Sequence, residues 1–216
     1  MHPVLPSMPE NGTRRRRRPA KVKRAIEPDA RARLIRAGAQ LFCRYGINAT
    51  GVDAVVTEAG TAKATLYKIF GSKEGLVEAV LDAEGEAWRD WFVREVDALT
   101  CSSAEKLVRV FDVLKAWFKD DSFYGCPFIN AVGEHDKSDE RIRRVALRHK
   151  SVVLNKITAL AEDARAKNPK LLTHELALLI DGAIVTALIT LDPSIADTAK
   201  NAAERIVASE LAVAVG

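Results

Sequence analysis

The chain has 216 residues, of which 48% are hydrophobic and 29% are charged, an ordinary composition for a folded globular protein with a sizeable core. Its net charge of +4 is unevenly distributed, because residues 1–72 carry 14 Lys and Arg against 5 Asp and Glu, whereas residues 73–216 carry 19 against 24. This asymmetry predicts a polyanionic partner for the first third of the chain alone.

Several classes of protein are excluded by what the sequence lacks. Three cysteines without CxxC spacing give neither a disulfide framework nor a zinc site, which favours a reducing cytoplasm. The arginine run near the N-terminus is not followed by an apolar run, so it is not a signal peptide. The most apolar stretch, about 16 residues from Leu176 to Leu191, is shorter than the roughly 20 residues that cross a bilayer, and a buried helix is predicted instead.

Residues 1–27 form a basic segment with four prolines and little apolar surface. Such a segment cannot offset its ordering entropy by burial, so it is predicted to be disordered in isolation. One interpretation is an arm that binds the DNA backbone or minor groove, to which arginines are suited, and the alternative is a solvated tail. The arginines of the arm are Arg14, Arg15, Arg16, Arg17 and Arg18.

Residues 28–72 predict three short helices, Pro28–Tyr45, Val52–Ala59 and Lys63–Phe70, separated by glycine-containing turns. Gly38 lies inside the first helix, where glycine costs about 1 kcal/mol against alanine, so we expect another helix to cross closely there. In the third helix Leu66 and Phe70 lie four residues apart on a buried side. The remaining side chains are small or basic and suit a DNA major groove.

Residues 73–216 predict six further helices. The fourth begins after Ser72, the fifth after a capping box formed by Ser102 and Glu105, and the sixth follows an aromatic loop and spans about 128–134. The last three span about 139–167, from Thr173 as N-cap to Leu191, and about 197–214. No stretch alternates with the period of a strand, so the fold is predicted to be all-α with about nine helices.

Four segments with fixed spacing carry a family resemblance: residues 37–50, VDAVVTEAG at 52–60, KATLYKIF at 63–70 and SKEGL at 72–76. In these roughly 50 residues the chain resembles the helix-turn-helix DNA-binding domain of the tetracycline-repressor (TetR) family. The remainder matches only in kind, as an all-α region of suitable length.

Together with the basic composition of residues 1–27, the resemblance implies an arm (1–27), a DNA-binding domain (28–72) and a ligand-binding and dimerisation domain (73–216). It implies a homodimer, paired through the last two helices, that binds a palindromic double-stranded DNA operator as a repressor. A small, mostly apolar or aromatic effector would release the DNA by favouring another spacing of the two DNA-binding heads. Activation instead of repression stays open.

The resemblance also assigns DNA contacts within the helix-turn-helix, in addition to the arginines of the arm. These fall on Thr50, Lys63, Ala64, Thr65, Tyr67, Lys68 and Lys73. For Lys68 and Lys73 the alternative is a plain solvated charge, and for Tyr67 it is a packing role.

Three positions depart from the family pattern. Gly51 and Ala62 stand where a hydroxyl residue usually caps the second and third helices, and a cap of this kind contributes about 1 kcal/mol. Thr61 is an alternative cap for the third helix. Ile69 stands where histidine is common, which removes a phosphate contact that Lys68 could replace.

An effector pocket is expected to be mostly apolar with a few polar groups. The candidates are aromatic residues on or near helical stripes, polar residues that interrupt such stripes, and one cysteine: Glu84, Trp88, Trp91, Phe92, Phe111, Trp117, Phe123, Tyr124, Cys126, Phe128, His149 and Asp181. For each aromatic residue the alternative is ordinary core. Glu84, His149 and Asp181 could instead be satisfied core groups or interface pairs, and Cys126 is either a reactive thiol or a small buried hydrophobe.

Two functions from other classes compete with a regulator. An enzyme or carrier would use the aromatic cavity, but no nucleophile–base pair, phosphate loop or paired-carboxylate spacing is present, so we predict no catalytic residue, metal or cofactor. A packaging protein driven by the arginine run would bind every duplex equally at fixed salt.

Overall fold

The computed structural model describes residues 29–136 and 140–211, and within these ranges the chain forms nine helices and no strand, as predicted. The helices are α1 (Ala30–Tyr45), α2 (Val52–Glu58), α3 (Lys63–Phe70), α4 (Lys73–Asp97), α5 (Ser103–Phe118), α6 (Pro127–Glu134), α7 (Glu140–Asp163), α8 (Pro169–Thr190) and α9 (Ile195–Leu211).

The first three helices form a small bundle that rests on the N-terminal half of α4. Asp29 caps α1 by accepting a hydrogen bond from the Arg31 N–H, and Gly46 follows the helix with a positive φ of 87°. The fully buried side chains of Leu34 and Leu66 join the bundle to Leu76 at the start of α4. Because α1 and α3 both pack against α4, this helix orients the bundle relative to the rest of the chain.

Gly38 marks the close crossing of α1 and α4 that the sequence predicted. A Cβ atom at this position would lie only 2.8 Å from Cγ2 of Val80. The missing side chain therefore lets the two helices approach, which offsets the low helix propensity of glycine.

Helix α5 lies at the centre of the second part of the chain. It packs against α4, α7, α8 and α9, and its side chains Leu107, Val110, Phe111 and Leu114 are fully buried. The predicted capping box is present, since Ser102 and Glu105 exchange hydrogen bonds at the N-terminus of α5.

Helix α8 begins earlier than the sequence indicated. Asn168 rather than Thr173 is its N-cap, and the Asn168 side chain accepts a hydrogen bond from the Leu171 N–H at 3.1 Å. Thr173 is instead buried one turn inside the helix, where its hydroxyl contacts the hydroxyl of Thr158 at 3.0 Å. With 22 residues, α8 is long and apolar enough to cross a bilayer by length and composition, yet one side of it packs against α5, α7 and α9.

Other boundaries differ by a few residues. α7 ends at Asp163 rather than near residue 167, because Arg165 adopts a left-handed φ of 57°. α6 begins at Pro127, which suits a first helical position, and α9 begins at Ile195. The predicted arm at residues 1–27, including Arg14–Arg18, lies outside the described residues.

Candidate functional site

The outer side of α3 presents the side chains that the sequence assigned to DNA. Lys63, Ala64 and Lys68 are exposed, Tyr67 is 44% exposed, and Leu66 on the opposite side is fully buried. Nζ of Lys63 forms an ion pair with Asp53 of α2 at 3.0 Å, and the hydrogen bond to this carboxylate raises the pKa of Lys63. A short helix with small and basic residues on its free side has the shape and charge to enter a major groove.

Helices α2 and α3 lack side-chain caps. Gly51 and Ala62 occupy the N-cap positions, and neither provides a side-chain hydrogen bond to the helix that follows. The predicted alternative cap, Thr61, does not occupy the N-cap position; its backbone N–H instead donates to the Val56 carbonyl at 3.0 Å. Helix α3 is therefore stabilised mainly by the burial of Leu66 rather than by side-chain hydrogen bonds at its N-terminus.

Thr50 and Lys73 both stabilise the turn between α1 and α2. The Thr50 side chain is buried, with 4% exposure, and its hydroxyl donates to the Gly46 carbonyl at 2.7 Å. Nζ of Lys73 donates to the Ile47 carbonyl at 2.6 Å. The hydroxyl proton of Thr50 is therefore used within the protein and its side chain is not presented to solvent, and its contact with DNA stays a prediction.

A cavity of about 140 Å³ lies among α1, α4, α5, α6, α7, α8 and the 122–125 loop. Seven residues predicted from the sequence line it: Glu84, Trp88, Trp117, Tyr124, Cys126, Phe128 and His149. Single aromatic rings fit cavities of this size, since engineered cavities of about 150 Å³ bind benzene.

His149 is a buried polar side chain of this cavity, with 6% exposure. Its ring stacks on Phe128 with centroids 3.9 Å apart, and its Nδ1 lies 3.2 Å from Nη1 of Arg89. Burial first, and then the positive charges of Arg89 and Lys150, lower the pKa of His149 to about 3. The ring is therefore neutral near pH 7, and because the guanidinium can only donate to Nδ1, the His149 proton is on Nε2.

Trp88 contributes a polar atom without a partner. The indole stacks on Phe92 at 4.9 Å and meets Trp117 edge-on at 5.3 Å. Its Nε1–H is buried and has no hydrogen-bond acceptor among the described residues. An unpaired buried donor is costly, so an acceptor atom placed here would be stabilised.

Five other predicted pocket residues do not line the cavity. Phe111 is fully buried in the core of α5, and Asp181 is turned toward Nζ of Lys150, with which it forms an ion pair. The other three lie behind the lining, since Trp91 and Phe92 pack on Trp88 and Phe123 packs on Trp117. Periodicity showed that these side chains face inward, but it could not distinguish a solid core from a cavity wall.

Several lining residues were not predicted as site residues. Cys43 reaches the cavity from α1, Lys150 from α7, and Ile180 and Ile184 from α8. Lys150 could have been noticed as a charge beside the His149 position, whereas Cys43 depends on how α1 packs and has no signal in the sequence.

The two cysteines of the cavity are thiols rather than thiolates. Burial, with smaller contributions from Glu84 and Cys126, raises the pKa of Cys43 to about 11. Burial also raises the pKa of Cys126, which is 5% exposed. Since the thiolate is the reactive form, these surroundings favour the alternative of a small buried hydrophobe for Cys126.

Comparison with known proteins matches both parts of the chain to one family. The family described as "Bacterial regulatory proteins, tetR family" matches residues 34–80, and the "Tetracyclin repressor-like, C-terminal domain" matches residues 103–203. A crystal structure of a TetR-family transcriptional regulator from Streptomyces coelicolor is 25% identical, with a TM-score of 0.77 over 85% of this chain and 96% of its own. A TetR-type regulator from Streptomyces avermitilis is 28% identical, with a TM-score of 0.69 over 82% and 99% of the two chains.

A sequence relative gives the same result over a shorter range. It is an uncharacterised helix-turn-helix transcriptional regulator from Lactococcus lactis, 26% identical over 121 residues. The match covers 54% of this chain and 60% of that protein, less than two thirds of its length. These relatives are transcriptional regulators rather than enzymes, and the two family matches together cover more than half of the chain. The chain therefore belongs to the TetR family of DNA-binding transcriptional regulators.

Proposed function

We propose that the protein is a cytoplasmic repressor that binds a palindromic operator as a homodimer and is released when a small molecule enters the α4–α8 cavity. The observation that carries this proposal is the position of Cys43, which belongs to α1 of the DNA-binding bundle yet lines the cavity. A molecule in the cavity thus touches the DNA-binding bundle directly. The affinity of the cavity for this molecule depends on the position of α1. Binding can therefore favour one position of the DNA-binding bundle over another.

The dimer is proposed to form through α8 and α9, with α8 providing the apolar contact. Leu178, Val185 and Ile189 are exposed by 74%, 38% and 75%, and their spacing places them on one face of α8. Gly182 lies between them on the same face with nothing within 4 Å of its Cβ position. An apolar stripe with a glycine at its centre supports close packing against the same helix of a second copy.

Pairing two copies also explains how a short α3 can read a specific sequence. A single α3 contacts few base pairs, and a dimer doubles the site and fixes the distance between half-sites at about one turn of DNA or a multiple of it. Lys63, Tyr67 and Lys68 are the side chains that we propose contact DNA from α3, together with the arm at Arg14–Arg18.

A reporter assay in a heterologous host tests this function. The DNA upstream of the protein's own gene drives the reporter, and the wild-type chain is compared with Tyr67→Ala. A repressor lowers expression, and the variant restores it while remaining soluble. Increased expression would show an activator, and equal expression with both chains would contradict operator binding through α3.

A further inference from the structure

The charge of Glu84 in the cavity is not balanced by any other described residue. The Glu84 side chain extends from α4 and is half-buried. It lines three adjoining spaces: the cavity, a narrow cleft beside α1 and α6, and an outer groove between α1 and the 121–124 loop. Within the described residues, 29–136 and 140–211, no hydrogen bond or ion pair involves the Glu84 carboxylate. Burial raises the pKa of Glu84, and no neighbouring positive charge offsets this increase.

The positive groups of Lys150 and Arg89, which lie at the inner cavity, are already engaged. Lys150 lines the cavity, but its ammonium is paired with Asp181. Arg89 is held against Nδ1 of His149, and His149 itself is neutral. Among the described lining residues, the unbalanced charge is therefore the negative charge of Glu84, and an anion entering the cavity would meet no free cation.

The remaining walls suit a flat cation. Trp88, Trp117, Tyr124 and Phe128 surround the space that Glu84 faces. Aromatic faces attract cations, and the attraction increases when water is excluded. A half-buried carboxylate without a counter-ion has the same preference, because a paired cation offsets its desolvation.

We propose that the effector is a small organic cation with an aromatic or flat apolar body, and that Glu84 is its counter-ion. This inference rests on the proposed function of the cavity as the effector site. It explains why a polar side chain interrupts the apolar stripe of α4 at this position. Glu84 also lines the outer groove, together with Arg36 and Arg44, so that the carboxylate lies between the solvent-facing groove and the inner cavity.

Three one-ring compounds of nearly equal shape test the charge preference: benzamidinium, benzamide and benzoate. Quenching of tryptophan fluorescence reports binding, because Trp88 and Trp117 line the cavity. We expect benzamidinium to bind at least about tenfold more tightly than benzamide, and benzoate to bind most weakly. Benzamide and benzoate carry an oxygen acceptor for the Trp88 N–H whereas benzamidinium carries none, so that any contribution of this N–H opposes the expected order.

Glu84→Gln removes the charge and keeps the shape, and Glu86→Gln, an exposed residue of the same helix, is the matched control. We expect Glu84→Gln to weaken benzamidinium binding to the level of benzamide and to leave benzamide binding unchanged. Glu86→Gln should bind both compounds as the wild type does. The ligand series uses the wild-type protein, so the proposal is tested even if the variant does not fold.

The proposal is overturned if benzamide or benzoate binds as tightly as benzamidinium, if benzamidinium shows no saturable binding at millimolar concentration, or if Glu84→Gln leaves its binding unchanged. These outcomes differ from failure of the proposed function. That failure would appear as unchanged reporter expression with Tyr67→Ala and does not depend on which compound occupies the cavity.

Discussion

Glu134 at the end of α6 holds Asn48 in the turn that follows α1. The Asn48 backbone N–H donates to Oε2 of Glu134 at 2.7 Å, and the Asn48 side-chain amide donates to the Glu134 carbonyl at 2.7 Å. A Cβ on the neighbouring Gly46 would lie 3.2 Å from both carboxylate oxygens, so the fit is close. Helix α6 begins beside the cavity at Pro127 and ends on the DNA-binding bundle.

A double-mutant cycle measures this contact. Glu134→Ala removes the acceptor of the Asn48 backbone N–H, and Asn48→Ala removes the donor to the Glu134 backbone carbonyl, so each is expected to lower the free energy of unfolding by about 1 kcal/mol. Each variant keeps the bond that the other one removes, so the losses in the double variant should be close to additive. A double variant that loses no more than either single one in urea denaturation would contradict two separate bonds across this contact.

Gly38→Ala should destabilise the junction between α1 and α4. The added Cβ would lie 2.8 Å from Val80, and overpacking of about 1–3 kcal/mol outweighs the gain in helix propensity of about 1 kcal/mol. Gly133→Ala on α6 is the control, since nothing lies within 4 Å of its Cβ position and only the propensity gain applies. A melting temperature for Gly38→Ala at or above that of the wild type would contradict the close crossing.

Lys68→Ala should weaken DNA binding without changing stability. The lysine is exposed and has no ion pair among the described residues, so its removal should change the free energy of unfolding by less than about 0.5 kcal/mol. Loss of one phosphate contact per chain lowers the slope of log K against log salt by about 0.9 for each chain bound. Lys170→Ala, an exposed lysine of α8, is the control and should keep the wild-type slope.

The helix boundaries could be predicted from the sequence where residues close together in the chain define them, but not where packing between distant residues does. The limits of α3, Lys63–Phe70, were predicted correctly because glycines and one apolar pair define them locally. The start of α8 was wrong because Asn168 and Thr173 both satisfy the local rules for a cap, and only the packing of Thr173 on Thr158 distinguishes them.

The cavity was predictable to a similar extent. Glu84 and His149 stood out as polar residues on apolar stripes, and both line it. The contribution of Cys43, and the exclusion of Phe111, depend on how α1 and α5 pack against the other helices. Such contacts join distant parts of the chain, and no local pattern records them.

The stability of the protein should decrease on acidification partly because of His149. The pKa of His149 in the folded chain, about 3, lies below its ordinary value of 6.5. Between these two pH values the imidazole is protonated in the unfolded chain and neutral in the folded chain. The contribution of His149 is complete above pH 6.5 and is lost as the pH falls toward 3, with a slope of up to about 1.4 kcal/mol per pH unit.

Urea unfolding of His149→Gln between pH 7.5 and pH 4 checks this slope. The variant should be less stable at pH 7.5, because it loses the stacking on Phe128, but its stability should decrease less with acid than that of the wild type. His174→Gln, an exposed histidine of α8, controls for the loss of a histidine. Parallel curves for His149→Gln and the wild type would exclude a neutral buried imidazole.

The apolar stripe of α8 should control both assembly and DNA binding. Leu178→Glu combined with Ile189→Glu places two charges on the proposed interface, and we expect a folded monomer by sedimentation with much weaker operator binding. Leu147→Glu on α7, which is 63% exposed, is the control and should remain dimeric. A dimeric double variant would place the interface elsewhere.

An equilibrium titration of a labelled duplex from the region upstream of the gene, with a scrambled duplex of equal length as competitor, tests the central claim most directly. At fixed salt we predict two chains per duplex and a preference for the upstream sequence of at least about a thousandfold. Equal affinity for the two duplexes would contradict a sequence-specific regulator and would instead support a nucleic-acid packaging protein.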